Sequence, residues 1–380
     1  MRLTYRAVSK CVQQSLTLSL LGVLVACSGG PATQKPADLS PNVNLIGVKQ
    51  AWVSKIGAAT FPLNVQASEQ SLALASADGS VAVLDASTGA ETWRASVGSP
   101  LAAGVGHDGR LTSVITRNNE LITLASGREL WRQQLVAQSY TAPLVAGDRV
   151  FVLSADRSVS AYDGQSGRRL WNQQRPGEAL VLRQSGVLLA VGDTLVVGLS
   201  GKLLGLNPLN GSVRWEAPIA SPRGTNDVER LVDLVGPANR LNTMVCARAF
   251  QAAVGCVDAS RGNLLWTKPG SGAVGVSGDD RLVFGVESDS TLIAWRRSDG
   301  ERAWTVEQLR YRKLGAPLVI GQSVVVGDSD GMLHFLSREN GSPLTRISTD
   351  GSAIVAAPVL AGNTLVVVTR NGNIFGFRPE

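Results

Sequence analysis

The chain has 380 residues, 44% of them hydrophobic and 17% charged, a balance that excludes a disordered polypeptide and leaves ample apolar surface for a core. Its formal charge of +6 falls to +3, 33 basic residues against 30 acidic, once Arg2, Arg6 and Lys10 are set aside with the leader they belong to. So small an excess excludes the basic face that nucleic-acid binding requires.

The leader comes first. Three basic residues precede an apolar run from Leu16 to Ala26, too short to cross a bilayer and shaped like the core of a signal peptide. It ends in Leu24-Val25-Ala26-Cys27, a lipobox whose small residues fit a signal-peptidase cleft. Residues 1–26 therefore read as a lipoprotein signal peptide and Cys27 as the lipidated first residue of the mature chain. Ser28, rather than Asp, follows it, which under the sorting rule of enteric bacteria directs the protein to the outer membrane. Several acyl chains on one residue supply anchoring that a single chain does not. Residues 28–44 are polar and rich in Gly and Pro and read as a flexible tether with a reach of roughly 23 Å.

From residue 45 to 380 the chain repeats itself about every 40 residues. Each unit opens with a short apolar run, such as Ala142-Pro143-Leu144-Val145 or Ala357-Pro358-Val359-Leu360, and turns at Gly147-Asp148 or Gly362-Asn363. A β-branched strand follows, then a tight turn at Asp78-Gly79, Asp156-Arg157, Asp330-Gly331 or Asn371-Gly372. Such pairs are hairpin signals because positive φ costs them little. A third strand then leads into the phrase A-x-D-x-x-x-G-x-x-x-W, seen complete at Ala161, Asp163, Gly167 and Trp171. Further copies end at Trp93, Trp131, Trp215, Trp266 and Trp304, and a degenerate one ends at Thr345; Trp52 stands alone near the start. None of this has helical periodicity. Four short antiparallel strands per repeat describe the blade of a β-propeller.

Counting gives seven full copies plus two fragments. After Thr345 the chain supplies three strands and no fourth, whereas Trp52 is a fourth-strand residue with no preceding three. The fold class is therefore all-β: an eight-bladed propeller of four-stranded antiparallel blades, the last closed by the N-terminal strand around residues 47–55, which removes free sheet edges. Trp52, Trp93, Trp131, Trp171, Trp215, Trp266 and Trp304 are expected to dock structurally. Each indole should lie over a neighbouring blade at the phrase's glycine, its N–H bonded to a backbone carbonyl, with the Asp pinning the turn.

Four cysteines divide by position: Cys11 leaves with the signal, Cys27 carries lipid, and Cys246 and Cys256 flank a hairpin turn near Phe250-Gln251. In an oxidising compartment two readings stand. A disulfide would close a short loop, worth about 3 kcal/mol in the chain-entropy model. A buried free thiol is the other, since Cys256 occupies the small-residue position held elsewhere by Ala161 and Gly205. His107, in a Gly-rich turn, and His334, within a third strand, read as structural or solvated. No Ser/His/Asp order, phosphate loop or metal-ligand spacing is present. The Trp215–Trp266 interval is 51 residues, against 38–44 elsewhere, and the excess falls in 217–240, extra length of the kind that carries recognition in a rigid scaffold.

The phrase resembles the tryptophan-docking motif of quinoprotein-type propellers, which pyrroloquinoline-quinone (PQQ) dehydrogenases share. With a lipobox, eight repeats and this length, residues 15–380 resemble the BamB family of outer-membrane assembly-factor lipoproteins. That resemblance implies a non-catalytic, cofactor-free lipoprotein of the β-barrel assembly machinery. Such a protein faces the periplasm, binds the POTRA domains of BamA and assists unfolded outer-membrane proteins. It places a BamA contact in two segments. The first is Leu180-Val181-Leu182-Arg183, through Leu180, Leu182 and Arg183; the second is 230–235, through Asp233, while Val235 stands where the family pattern has a second acid. Two other classes compete: a PQQ- and calcium-dependent dehydrogenase, which needs carboxylate ligands and a quinone-stacking site, and a generic peptide-binding propeller.

Overall fold

A computed structural model describes residues 34–61, 63–175, 180–222, 225–227 and 230–380; Cys27 and the leader lie outside them. Ala37–Glu380 forms one compact unit. Among the described residues there are 32 strands and no helix, arranged as eight four-stranded antiparallel sheets. Blades 1 to 7 span residues 66–96, 106–134, 144–174, 188–218, 234–269, 276–306 and 318–348. Blade 8 takes three strands from 359–379 and its outer strand from Val48–Lys55, with Trp52 opposite Gly376. The closure expected from the two sequence fragments is the closure found.

The second strands are buried along nearly their whole length, and completely so in Leu282–Val286 and Thr364–Val368, because both faces of a blade meet a neighbour. Apolar side chains therefore run continuously rather than alternating. Eight apolar clusters fill the eight interblade spaces; Ala73, Val81 and Val83 of blade 1, for example, meet Val114, Ile122 and Leu124 of blade 2. Outer strands are mostly exposed and are held by their tryptophan, as in Arg128–Gln134, where Trp131 is buried.

The glycines explain the phrase. A Cβ added to Gly89 would overlap Trp52, and the same holds for Gly167 with Trp131, Gly211 with Trp171, Gly262 with Trp215, Gly300 with Trp266 and Gly341 with Trp304. Each indole lies on the glycine of the next blade, and positive φ at that glycine, 70° at Gly167, forms the turn beneath it. Indole N–H groups donate to backbone carbonyls of the neighbouring blade: Trp131 to Gly164 at 2.8 Å, Trp171 to Pro208 at 3.0 Å, Trp266 to Arg297 at 2.7 Å and Trp304 to Arg338 at 3.0 Å. Trp52 and Trp215 are different: their buried N–H groups have no partner. The residue across the strand from each is glycine, Gly376 and Gly205, and the indole leans into that empty position. The phrase's aspartate pins the turn as expected. Hydroxyls of Ser87 and Thr88, with the Thr88 amide, lower the Asp85 carboxyl to about 2.

Thr345 has a topological cause. The indole it replaces would dock on a turn between the third and fourth strands of blade 8, and those strands are the two ends of the chain. With no turn there is no glycine socket. Phe335, directly across from Thr345, fills the volume from the third strand, and the Thr345 hydroxyl donates to the Asn44 side chain at 3.3 Å.

The expectation of a free tether as far as residue 44 needs correction. Ala37 N–H donates to Arg310 O at 2.9 Å, Asn42 Nδ2 to Arg346 O at 2.9 Å, Arg346 Nη2 to Ser40 O at 3.1 Å and Leu45 N–H to Leu344 O at 2.7 Å. Residues 37–45 form a strap along the outer side of blade 7. Leu39 packs into the apolar cluster between blades 6 and 7.

Cys246 and Cys256 sit directly opposite on adjacent strands of blade 5, Cα atoms 4.0 Å apart, and their sulfurs are bonded. The free-thiol reading is thereby set aside. The double variant Cys246→Ala/Cys256→Ala is expected to lose about 2–3 kcal/mol of stability, read as a lower urea midpoint. A reductant should lower the midpoint of the unaltered protein toward that value and leave the variant unmoved.

Candidate functional site

Antiparallel order puts the turns between second and third strands on the same ring face as the connections from one blade to the next. Two such connections, around 180–187 between blades 3 and 4 and around 219–233 between blades 4 and 5, carry the residues singled out from the sequence. The structure brings them together. Leu182 N–H donates to Asp233 Oδ2 at 3.0 Å, and Phe250 N–H donates to Asp233 O at 2.9 Å.

The four residues occupy different environments. Leu180 is 39% exposed and Arg183 is exposed, its guanidinium lying 5.8 Å from the centre of the Tyr140 ring. That distance suits a cation–π contact, which holds a long side chain in one orientation. Leu182 is partly buried and lines a small cleft with Tyr140, Leu153, Leu199 and Asp233. Asp233 turns inward, spending both carboxylate oxygens on Arg157 and Leu182; it positions the first segment from within. Val235 is 2% exposed, pairs with Arg248 and bridges to Gly186, so the position where the family pattern has a second acid is an internal strand residue.

Arg157 escaped the sequence reading, and it organises the site. Only 5% exposed, it donates to Ser200 Oγ at 2.6 Å, Leu180 O at 3.1 Å and Asp233 Oδ1 at 3.3 Å. One guanidinium thus ties blade 3, blade 4 and both connections together, a use of its planar array of donors that lysine does not reproduce. A signal was present: Arg157 stands where the other tight turns have Gly79, Gly331 and Gly372, and it too adopts positive φ, 65°. Asn119, Gln251 and Ser290 adopt the same conformation at the equivalent turns of other blades, so the long cationic side chain, rather than the backbone, sets this turn apart.

The two histidines are structural. His107 Nδ1 lies 2.8 Å from Thr112 Oγ1 and 3.1 Å from Leu111 O, and burial pushes its pKa down. His334 Nε2 lies 2.9 Å from the buried Asp328 carboxylate.

The ring axis holds a cavity of about 550 Å³. Its walls include Pro237, Pro317, Pro358, Ala316 and Ile354, with polar groups from Asn64, Gln184, Asn239 and Arg240. Among the described residues lining it there is no carboxylate and no aromatic ring. A calcium ion needs oxygen ligands dominated by carboxylates, and a quinone needs a flat stacking partner. These residues fit neither group, and the cavity supports no step through PQQ.

A closed eight-bladed ring with quinoprotein-type tryptophan docking, and a central cavity whose lining does not fit the quinone, define a propeller of the quinoprotein-repeat class. Residues 77–306 match the family described as outer membrane protein assembly factor BamB. The BamB of Burkholderia pseudomallei is 38% identical over 363 residues, covering 94% of this chain and 95% of that relative; that of Bordetella pertussis is 36% identical, covering 91% of each. The chain belongs to the BamB family of outer membrane protein assembly factors. The crystal structure of BamB from Moraxella catarrhalis matches with a TM-score of 0.79 at 23% identity, over 87% of this chain and 99% of that one. A quinohemoprotein alcohol dehydrogenase from Comamonas testosteroni matches at 0.66 with 15% identity, covering 88% of this chain and 77% of its own, a likeness of fold alone.

Proposed function

We propose that this protein is a non-catalytic scaffold lipoprotein of the outer-membrane β-barrel assembly machinery. It is anchored through Cys27, faces the periplasm, binds the POTRA domains of BamA through the surface around Leu180 and Arg183, and assists unfolded outer-membrane proteins. The observation that carries the contact is the convergence of two connections on one internal strut, which leaves an exposed leucine beside an oriented arginine. An apolar anchor with a charged neighbour is the usual make-up of a binding hot spot. Family membership supports the assembly role, and the central cavity, lacking ligands for calcium or a quinone, weighs against the dehydrogenase reading.

The test is capture of BamA from solubilised membranes by the triple variant Leu180→Ala/Leu182→Ala/Arg183→Glu. Recovery is expected to fall at least tenfold, about 1.4 kcal/mol or more of binding energy, with thermal unfolding little changed. Undiminished recovery would sink the site assignment.

A further inference from the structure

The strap has a consequence for how the ring meets the membrane. Ala37 is held at the connection 307–317 between blades 6 and 7: its N–H donates to Arg310 O, and its own carbonyl accepts from Arg312 Nη1 at 3.1 Å. Arg312 is fixed for this purpose. Only 6% exposed, it donates Nε to Asp328 Oδ2 and Nη2 to Asp330 Oδ2, each at 2.7 Å. Burial works to raise the Asp328 carboxyl, but bonds from His334, the Met332 amide and Arg312 outweigh it and hold it below the ordinary carboxylate range. The guanidinium is therefore clamped between two carboxylates and presents its remaining donor to the strap. From Ala37 the strap runs down blade 7 to Leu45, on the opposite face, before entering the closing strand.

The chain thus enters the ring on the face that carries the 180–187 and 219–233 connections, two to three blades further round. If it emerged directly from the closing strand of blade 8, it would enter on the other face. With residues 37–45 docked, nine residues, 28–36, separate Cys27 from the strap. Nine residues span at most roughly 30 Å. Strands of five or six residues are about 17–20 Å long, so the two ring faces differ in distance from an anchoring surface by more than half of that span. Exposed Lys313 and half-buried Tyr311 flank Arg312 at this point, residue types that suit a lipid–water interface.

We infer that the strap orients the propeller on a lipid bilayer, holding the 307–317 connection, and with it the face of the candidate partner site, toward the membrane. The inference rests on the proposed acylation of Cys27. The test uses the mature lipidated protein on vesicles of phosphatidylethanolamine and phosphatidylglycerol, with a fluorophore on Lys313→Cys or on Glu339→Cys, an exposed position at the opposite end of blade 7. Quenching by lipid-borne nitroxide is expected to be at least twofold stronger at 313 than at 339. Equal or reversed quenching overturns the proposal.

Releasing the strap with Leu39→Ser/Asn42→Ala/Arg312→Lys removes the apolar contact, the bond to Arg346 O and the guanidinium donor to Ala37 O, while a cation remains beside Asp328 and Asp330. It is expected to abolish the difference between probes while vesicle binding persists; a retained difference overturns the strap's role. The unacylated protein from Cys27→Ser is expected to leave the vesicles. If it stays bound, anchoring through Cys27 fails as a reading, whereas the comparison of probes on the unaltered strap still reports orientation.

Discussion

Arg157→Ala is expected to weaken BamA capture more than tenfold and to destabilise the ring by about 3 kcal/mol, the cost of breaking a buried ion pair by removing one partner. The loss has three parts. Asp233 keeps a mostly buried carboxylate with one neutral donor left, from Leu182 N–H. The carbonyl of Leu180 and the hydroxyl of Ser200 lose their charged donor. The 180–183 segment then loses its tie to blade 3, so Leu180 and Arg183 present themselves in many arrangements, and binding bears the entropy of ordering them. Arg157→Gly separates backbone from side chain, because it removes the guanidinium and also relieves the positive φ; it should be less damaging to stability than alanine by about 1 kcal/mol, yet equally damaging to capture. Ser200→Ala removes one acceptor and should cost about 1 kcal/mol with capture retained. Calorimetry and pull-down on the three variants check this. Wild-type capture by a folded Arg157→Ala protein would show that the strut is irrelevant to recognition.

Gly167→Val is expected to cost about 4 kcal/mol. Valine at a φ of 70° is strained by about 1–2 kcal/mol. Its Cβ would stand 2.6 Å from the Trp131 ring, and forcing extra atoms into a packed contact adds about 1–3 kcal/mol. Gly98→Ala is the control: its φ is 74°, but nothing lies within 4 Å of the added Cβ, so only backbone strain of about 1 kcal/mol remains. Trp131→Ala should by itself cost about 3–5 kcal/mol. Combined with Gly167→Val it should cost clearly less than the sum, because the valine then enters the vacated socket. Strict additivity in urea unfolding would mean that indole and glycine do not act as one contact.

The propeller was legible from the sequence because each blade repeats the same physical solution. Apolar runs, Asx-Gly turns and the tryptophan phrase recur at nearly constant spacing, so agreement among seven copies outweighs the ambiguity of any one. The cross-strand pairing of Cys246 and Cys256 was legible as one of two readings, since ten residues about a hairpin turn bring the positions face to face. The internal role of Asp233 was not legible. Arg157 reaches acceptors 23, 43 and 76 residues away, and such separations carry no period to read. Nor was the strap. Residues 37–45 are polar and aperiodic, and what holds them, Arg312 and Arg346, lies some three hundred residues on.

The amino-acid sequence by itself determined the ring, its eight blades, the joining of its two ends in the last blade and the expected address at the membrane, because these depend on local period and on composition. The tertiary structure alone decided why Thr345 lacks a tryptophan, which of Leu180, Leu182, Arg183 and Asp233 face solvent, and on which side the chain enters the ring. Each of these depends on what a neighbouring blade places within a few ångströms, and that is a property of closure, which no single repeat contains.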